Sequence, residues 1–142
     1  MILIALAAAY MPTVPGAVNP DVTQANIAST VCVAGYTGTI RPPVGYTNAL
    51  KRKQMTALHL PGKPSDYEED HLVSLVIGGS PSSRDNLWPE PWAGAHGARV
   101  KDRLEVALAK QVCSGKVPLA QAQHEIASDW VGAYRKYVGP LK

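Results

Sequence analysis

Residues 67–88 read Tyr67-Glu68-Glu69-Asp70-His71-Leu72-Val73-Ser74-Leu75-Val76-Ile77-Gly78-Gly79-Ser80-Pro81-Ser82-Ser83-Arg84-Asp85-Asn86-Leu87-Trp88, and the fold turns on how this stretch pairs with itself. Leu72, Val73, Leu75, Val76 and Ile77 are strand formers, so a strand is expected from Tyr67 to Ile77, broken by Gly78-Gly79. The polar loop Ser80 to Asp85 then lets Asn86-Leu87-Trp88 return as a second short strand, making a hairpin or hairpin-like loop. Pro89 and Pro91 have no N–H to offer a ladder and are expected to stop it.

Downstream the period changes. Val100, Leu104, Leu108 and Val112 recur every four residues from Ala98 onward, which predicts a helix with one apolar stripe and with Lys101, Asp102, Arg103, Glu105 and Lys110 on its other faces. Ser114-Gly115 should end it. Pro118 opens a last helix in which Leu119, Ala122, Ile126, Trp130, Ala133 and Tyr137 continue to Gly139, and the short turn between the two predicts antiparallel packing. Trp130 falls on the apolar stripe, and Trp88 is placed to pack between hairpin and helix.

Upstream, Asp21 offers helix-start chemistry for Pro20 to Thr30, and Val31-Cys32-Val33 reads as a short extended piece. Gly35 to Tyr46, with Gly35, Gly38, Pro42, Pro43 and Gly45, reads as an ordered loop rather than a helix. Thr47 is a suitable N-cap for a short helix over Asn48 to Leu58 that carries Lys51, Arg52 and Lys53, closed by Pro61, Gly62 and Pro64.

The chain has 142 residues, room for one domain of ordinary size. At 46% hydrophobic and 18% charged residues it is not a disordered acidic chain. No apolar run approaches the roughly 18 residues of a membrane-spanning helix, so the mature chain is expected to be soluble and without stable membrane association. The surplus of 14 Lys and Arg over 11 Asp and Glu is too small to argue for a nucleic-acid partner, but its distribution is uneven. Arg41, Lys51, Arg52, Lys53 and Lys63 precede the acids Asp66, Glu68, Glu69 and Asp70, so a basic block abuts an acidic one.

Met1 to Met11 is almost entirely apolar and runs into Pro12, Pro15, Gly16 and Ala17. This reads as a signal-peptide core followed by a small-residue cleavage zone, though without a basic start; a buried N-terminal helix or strand is the alternative. Residues 1–19 are accordingly expected to be a leader, and residues 20–142 a single domain of an exported protein, secreted or periplasmic. The two cysteines, Cys32 and Cys113, form no CxxC pair, which argues against structural zinc. In an exported chain they would most simply form one disulfide, and in a cytosolic one remain two buried thiols.

An Asp70-His71 pair on a strand, Gly78-Gly79, a returning Asn86-Leu87 strand and a following helix together resemble the ββα-metal (His-Me finger) core of HNH endonucleases. The resemblance covers about Tyr67 to Glu105 and implies an α+β fold, a hairpin-plus-helix core with further helices on both sides. Over a wider span, Arg41-Pro42-Pro43, Asn86-Leu87-Trp88-Pro89-Glu90-Pro91, Lys101-Asp102-Arg103-Leu104-Glu105 and Asp129-Trp130 resemble small exported bacterial HNH-nuclease-like proteins.

The resemblance implies an endonuclease that hydrolyses phosphodiester bonds of DNA, or of RNA, with His71 as general base and Asn86 pinning the hairpin and orienting His71. It implies Asp70 as a ligand of Mg²⁺, or of another divalent cation such as Mn²⁺, and no organic cofactor. The chemistry suits those residue types: an imidazole near neutral pKa can take a proton from water, and a cation can neutralise the leaving oxygen. The family places a His or Asn near the helix start as a further ligand. Here His96 is the better candidate and Glu105 the other, although Glu105 is also spaced to pair with Lys101 at i, i+4. Arg41, Lys51, Arg52 and Lys53 would contact backbone phosphates. His59 and His124 are expected at the surface. The alternative is a non-catalytic secreted binding or structural module that keeps the scaffold.

Overall fold

The protein, described over residues 11–141 by a computed structural model, is a mixed α and β chain around one small sheet, in which β1 (Tyr67–His71) pairs antiparallel with β2 (Leu87–Pro91). β1 is shorter than its apolar continuation suggested. Leu75–Ile77 turn into a 3₁₀ helix whose first residues are capped by Ser74, the Val76 N–H donating to the Ser74 Oγ at 3.3 Å. Gly78 then closes the turn at φ +81°. Leu72, Val73, Leu75 and Ile77 are still completely buried, so the apolar run fills the core from a turn rather than from a ladder.

β2 tolerates both of its prolines. The register sets Pro89 opposite Glu69 and Pro91 opposite Tyr67. The Leu72 N–H donates to the Asn86 carbonyl and the Trp92 N–H to the Asp66 carbonyl, so the hydrogen-bonded positions are the even-numbered residues of both strands. The prolines occupy the odd ones, where an N–H would point away from β1 and none is missed.

Among the described residues four α-helices accompany the sheet: α1 (Tyr36–Ile40), α2 (Val44–Ala57), α3 (Ala98–Cys113) and α4 (Leu119–Tyr137). α1 lies inside the stretch expected to be a loop. α2 begins before Thr47 because Pro43 delivers the chain into its first turn, with the N–H groups of Tyr46 and Thr47 bonded to the Pro43 carbonyl. Val31-Cys32-Val33 is a turn rather than an extended piece, with the Cys32 N–H on the Ile27 carbonyl. A 3₁₀ helix, Gln24–Ser29, stands where helix-start chemistry was read. α3 and α4 follow the four-residue spacing closely and pack together, α4 being interrupted at Asp129, whose backbone leaves helical values. Leu104, Leu108, Val112, Ile126, Trp130 and the sheet's Trp88 form the centre of the core.

The expected leader falls largely on residues 1–10, which lie outside the described residues. The segment after them is part of the fold. The N–H groups of Gly16 and Asn19 donate to the carbonyls of Asp85 and Gly78, and the Ser80 N–H donates to the Ala17 carbonyl, so residues 16–19 lie across the loop that joins the strands. Gly79 sits where that loop is tightest: a Cβ there would run into the Val73 carbonyl.

Cys32 and Cys113 form a disulfide that ties the N-terminal turns to the end of α3 across 81 residues. A loop of that length constrains the unfolded chain by about 4 kcal/mol in the chain-entropy model. Reduction should therefore lower the urea midpoint by an amount corresponding to about that figure, while an unchanged midpoint would show that the cross-link does not constrain the unfolded chain.

Candidate functional site

The loop between the strands is organised by one side chain. Asn86 is fully buried, and its Oδ1 accepts from the Val73 N–H at 2.9 Å and the Ala17 N–H at 3.2 Å, while its Nδ2 donates to the carbonyls of Val73 at 3.0 Å and Ser80 at 2.9 Å. Every donor and acceptor of the amide is used. The residue after Ser80 is Pro81, and its carbonyl meets His71 Nε2 at 2.8 Å. A carbonyl can only accept, so Nε2 carries the hydrogen and the neutral ring keeps its lone pair on Nδ1. Asn86 thus orients His71 through Ser80 and Pro81. Burial, above all, lowers the His71 pKa below its ordinary value; Arg41 and Lys101 add to this, while the Pro81 bond and Asp70 oppose it. At neutral pH the ring is an available base.

Strand alternation sorts the acids. Glu68 stands opposite Glu90, and Asp70 opposite Trp88, so all four side chains share the face of the sheet that α3 covers. Into this face α3 inserts Lys101, which is completely buried. Its Nζ lies 2.8 Å from Asp70 Oδ2 and 3.3 Å from Glu105 Oε1, and it donates to the His71 carbonyl at 2.9 Å. Burial alone would lower the Lys101 pKa, but Asp70, Glu105 and Glu90 outweigh it and raise the pKa above that of an ordinary lysine. The ammonium stays charged.

The surplus acids around it hold protons. Burial first, and Asp70 next, push Glu90 up to about 11, against the pull of Lys101. As a neutral acid Glu90 can donate to Asp70. Glu68 rises to about 8, again by burial first and then by the neighbouring carboxylates Asp70, Asp102 and Glu105. Glu105 rises to about 7, where burial exceeds the opposing pull of Lys101.

These raised values set a sign for stability. A carboxyl that stays protonated in the fold but ionises near pH 4.5 when unfolded stabilises fully below that pH, and the contribution drains away as pH rises towards the folded pKa. Glu90→Gln, which fixes the neutral form, should flatten the loss of stability between about pH 5 and about pH 8, as read by urea titration at several pH values. An unchanged slope would mean that Glu90 is not protonated in the fold.

Arg41, Glu68, Asp70, His71, Glu105 and Lys110 line a cavity of about 430 Å³ at the end of β1, next to α3. Both Arg41 and Lys110 are exposed, which leaves two cations at the rim. The rest of the basic block is dispersed by the turn of α2. Lys51 donates to the Tyr67 carbonyl at 2.9 Å and so holds β1 in place, Arg52 lines a separate concavity with His59, and Lys53 is exposed away from both. His124 is exposed on α4.

Asp70 and His96 are not brought together. His96 stands edge-on to the Trp130 ring at 6.4 Å between centroids and does not line the cavity, while Asp70 is engaged by Lys101. Among the described residues no three His, Cys, Asp or Glu side chains are arranged to hold a metal ion. Of the donors expected beside Asp70, His96 lies elsewhere, and Glu105 meets the same Lys101 ammonium that Asp70 does. The i, i+4 pairing of Lys101 with Glu105 is present, but as part of a buried cluster rather than on a solvated face. Sequence reasoning missed the burial of Lys101 and Glu90, and Lys110 at the rim. One signal was available for Lys101, since it precedes Leu104 by three residues and Leu108 by seven and so shares their face.

No protein-family model matches the chain, and no curated protein and no solved structure matches it either.

Proposed function

We propose that the cavity at the end of β1 is a phosphodiester-hydrolysing site and that the protein is an endonuclease acting on DNA, or on RNA, with His71 as general base. One observation carries the reading: His71 is tied through Nε2 to the Pro81 carbonyl, so its basic nitrogen is fixed as Nδ1 on a ring that lines a cavity bordered by Arg41. The hairpin, with α3 following it, supports the ββα comparison that the sequence suggests. In the reaction Nδ1 takes a proton from a water whose oxygen attacks phosphorus. The bond from phosphorus to the leaving oxygen breaks, that oxygen takes a proton from solvent, and the imidazolium returns its own to solvent, so the sum is one water consumed.

Arg41 and Lys110 are placed to meet the phosphate charge, whereas Asn86 keeps the base oriented. The disulfide supports an exported protein, secreted or periplasmic, because such bonds persist in oxidising compartments. The test is conversion of supercoiled plasmid to nicked and linear forms by the purified oxidised protein. Cleavage that weakens as salt is raised supports phosphate contact by the rim cations. Intact plasmid and intact single-stranded RNA after prolonged incubation, with and without divalent ions, would remove the nuclease reading in favour of a binding module.

A further inference from the structure

Asp70 is where a divalent cation was expected, and a lysine ammonium is already there. Lys101 Nζ lies 2.8 Å from Asp70 Oδ2, and the side chain is wholly enclosed, so that carboxylate oxygen already faces a fixed cation. The same ammonium reaches the His71 carbonyl at 2.9 Å and Glu105 at 3.3 Å. It therefore touches both residues of the Asp70-His71 pair, one through its side chain and the other through its backbone. The arrangement is built by the helix: Lys101 shares the inward face of α3 with Leu104 and Leu108, which are fully buried in the core and hold the stem in place.

We infer that Lys101 is the resident cation of this site, so that the protein acts without a bound divalent metal. The inference rests on the nuclease reading of the same cavity and deepens it. Lys101 is a positioning residue, since it is enclosed and meets no substrate. Its ammonium offsets the charge of Asp70 in the cavity lining, which would otherwise repel an approaching phosphate, and its bond to the His71 carbonyl fixes the strand end from which the base projects. A fixed ammonium carries a single positive charge and cannot bind water as a metal does. The base must then be the side chain of His71 rather than a metal-bound hydroxide, and the charge on the phosphate oxygens falls to Arg41 and Lys110.

The experiment has two arms on the wild-type oxidised protein and one on a variant. Plasmid cleavage is timed in EDTA and in Mn²⁺, and Mn²⁺ binding is followed separately by loss of the free-ion electron paramagnetic resonance signal. The expected results are equal cleavage rates in both solutions and no saturable Mn²⁺ binding. Cleavage only with Mn²⁺, or saturable binding that Asp70→Asn abolishes, would overturn the inference and leave the nuclease reading standing. If no cleavage occurs in either solution the nuclease reading fails, and the resonance titration alone decides what Asp70 holds. Lys101→Gln, checked for folding by circular dichroism, should acquire Mn²⁺ binding that the wild type lacks, because it leaves the Asp70 carboxylate, with the carboxyl groups of Glu68 and Glu105 beside it, without the ammonium that now occupies it. A folded Lys101→Gln that binds no more Mn²⁺ than wild type counts against it, and if that variant does not fold the two wild-type arms decide.

Discussion

His71→Ala is expected to slow phosphodiester cleavage by about a hundredfold to ten-thousandfold, the range that loss of a positioned general base produces. The substitution also strips the Pro81 carbonyl of its donor, a loss of about 1 kcal/mol of stability, so a slower variant could be blamed on a loosened loop. His71→Gln separates the two effects. Its amide can still donate to the Pro81 carbonyl, but it has no basic nitrogen. The expected outcome is a stability near that of wild type with a rate as low as that of His71→Ala, read from unfolding curves and plasmid cleavage on the same preparations. A His71→Gln variant with substantial activity would mean that His71 serves the loop and not the chemistry.

The second large effect is on the fold itself. Lys101→Ala removes the positive member of a buried ion pair and leaves the Asp70 carboxylate with no compensating charge. Breaking a buried pair from one side costs about 3–5 kcal/mol, more than most single substitutions at a surface. For an i, i+4 lysine and glutamate on a solvated helix face the figure would be about 0.3–0.5 kcal/mol, so urea titration of this one variant distinguishes the two situations clearly. A loss under about 1 kcal/mol would place Lys101 at the surface rather than beneath the sheet.

Much of the architecture was legible because periodicity and burial agree. Val100, Leu104, Leu108 and Val112 give α3 its bounds, and Ser114-Gly115 and Pro118 punctuate the passage to α4 as expected. The disulfide followed from two lone cysteines in a chain read as exported. What escaped was local geometry set by tertiary contacts. Leu72 to Ile77 has strand composition, yet Ser74 and Gly78 fold it into a 3₁₀ turn that buries the same side chains. Pro89 and Pro91 look like strand stops until the register shows that they fall where no ladder bond is made. The basic block is contiguous in sequence, but α2 turns Lys51 towards β1 and Arg52 towards another concavity, leaving Arg41 at the cavity.

The candidate site was half legible for a related reason. Asp70, His71 and Asn86 stand out as a motif of polar residues among apolar ones, and the structure places them on one loop and strand end. Lys101 and Glu90 do not stand out, because a charged residue is read as solvent-facing unless its partner is known, and their partners come from another strand or helix. The pairing of Lys101 with Asp70 spans the whole hairpin and was not visible in either segment alone.

The pH dependence of single-turnover cleavage tests the role of His71 most directly. Since burial lowers its pKa, the base form should persist below the pH at which an ordinary histidine is half protonated. The logarithm of the rate should therefore rise with pH at low pH, bend below about 6.5, and stay level above it, with the bend absent from the residual activity of His71→Gln. A bend that survives in His71→Gln, or a wild-type rate that shows none, would contradict His71 as the general base.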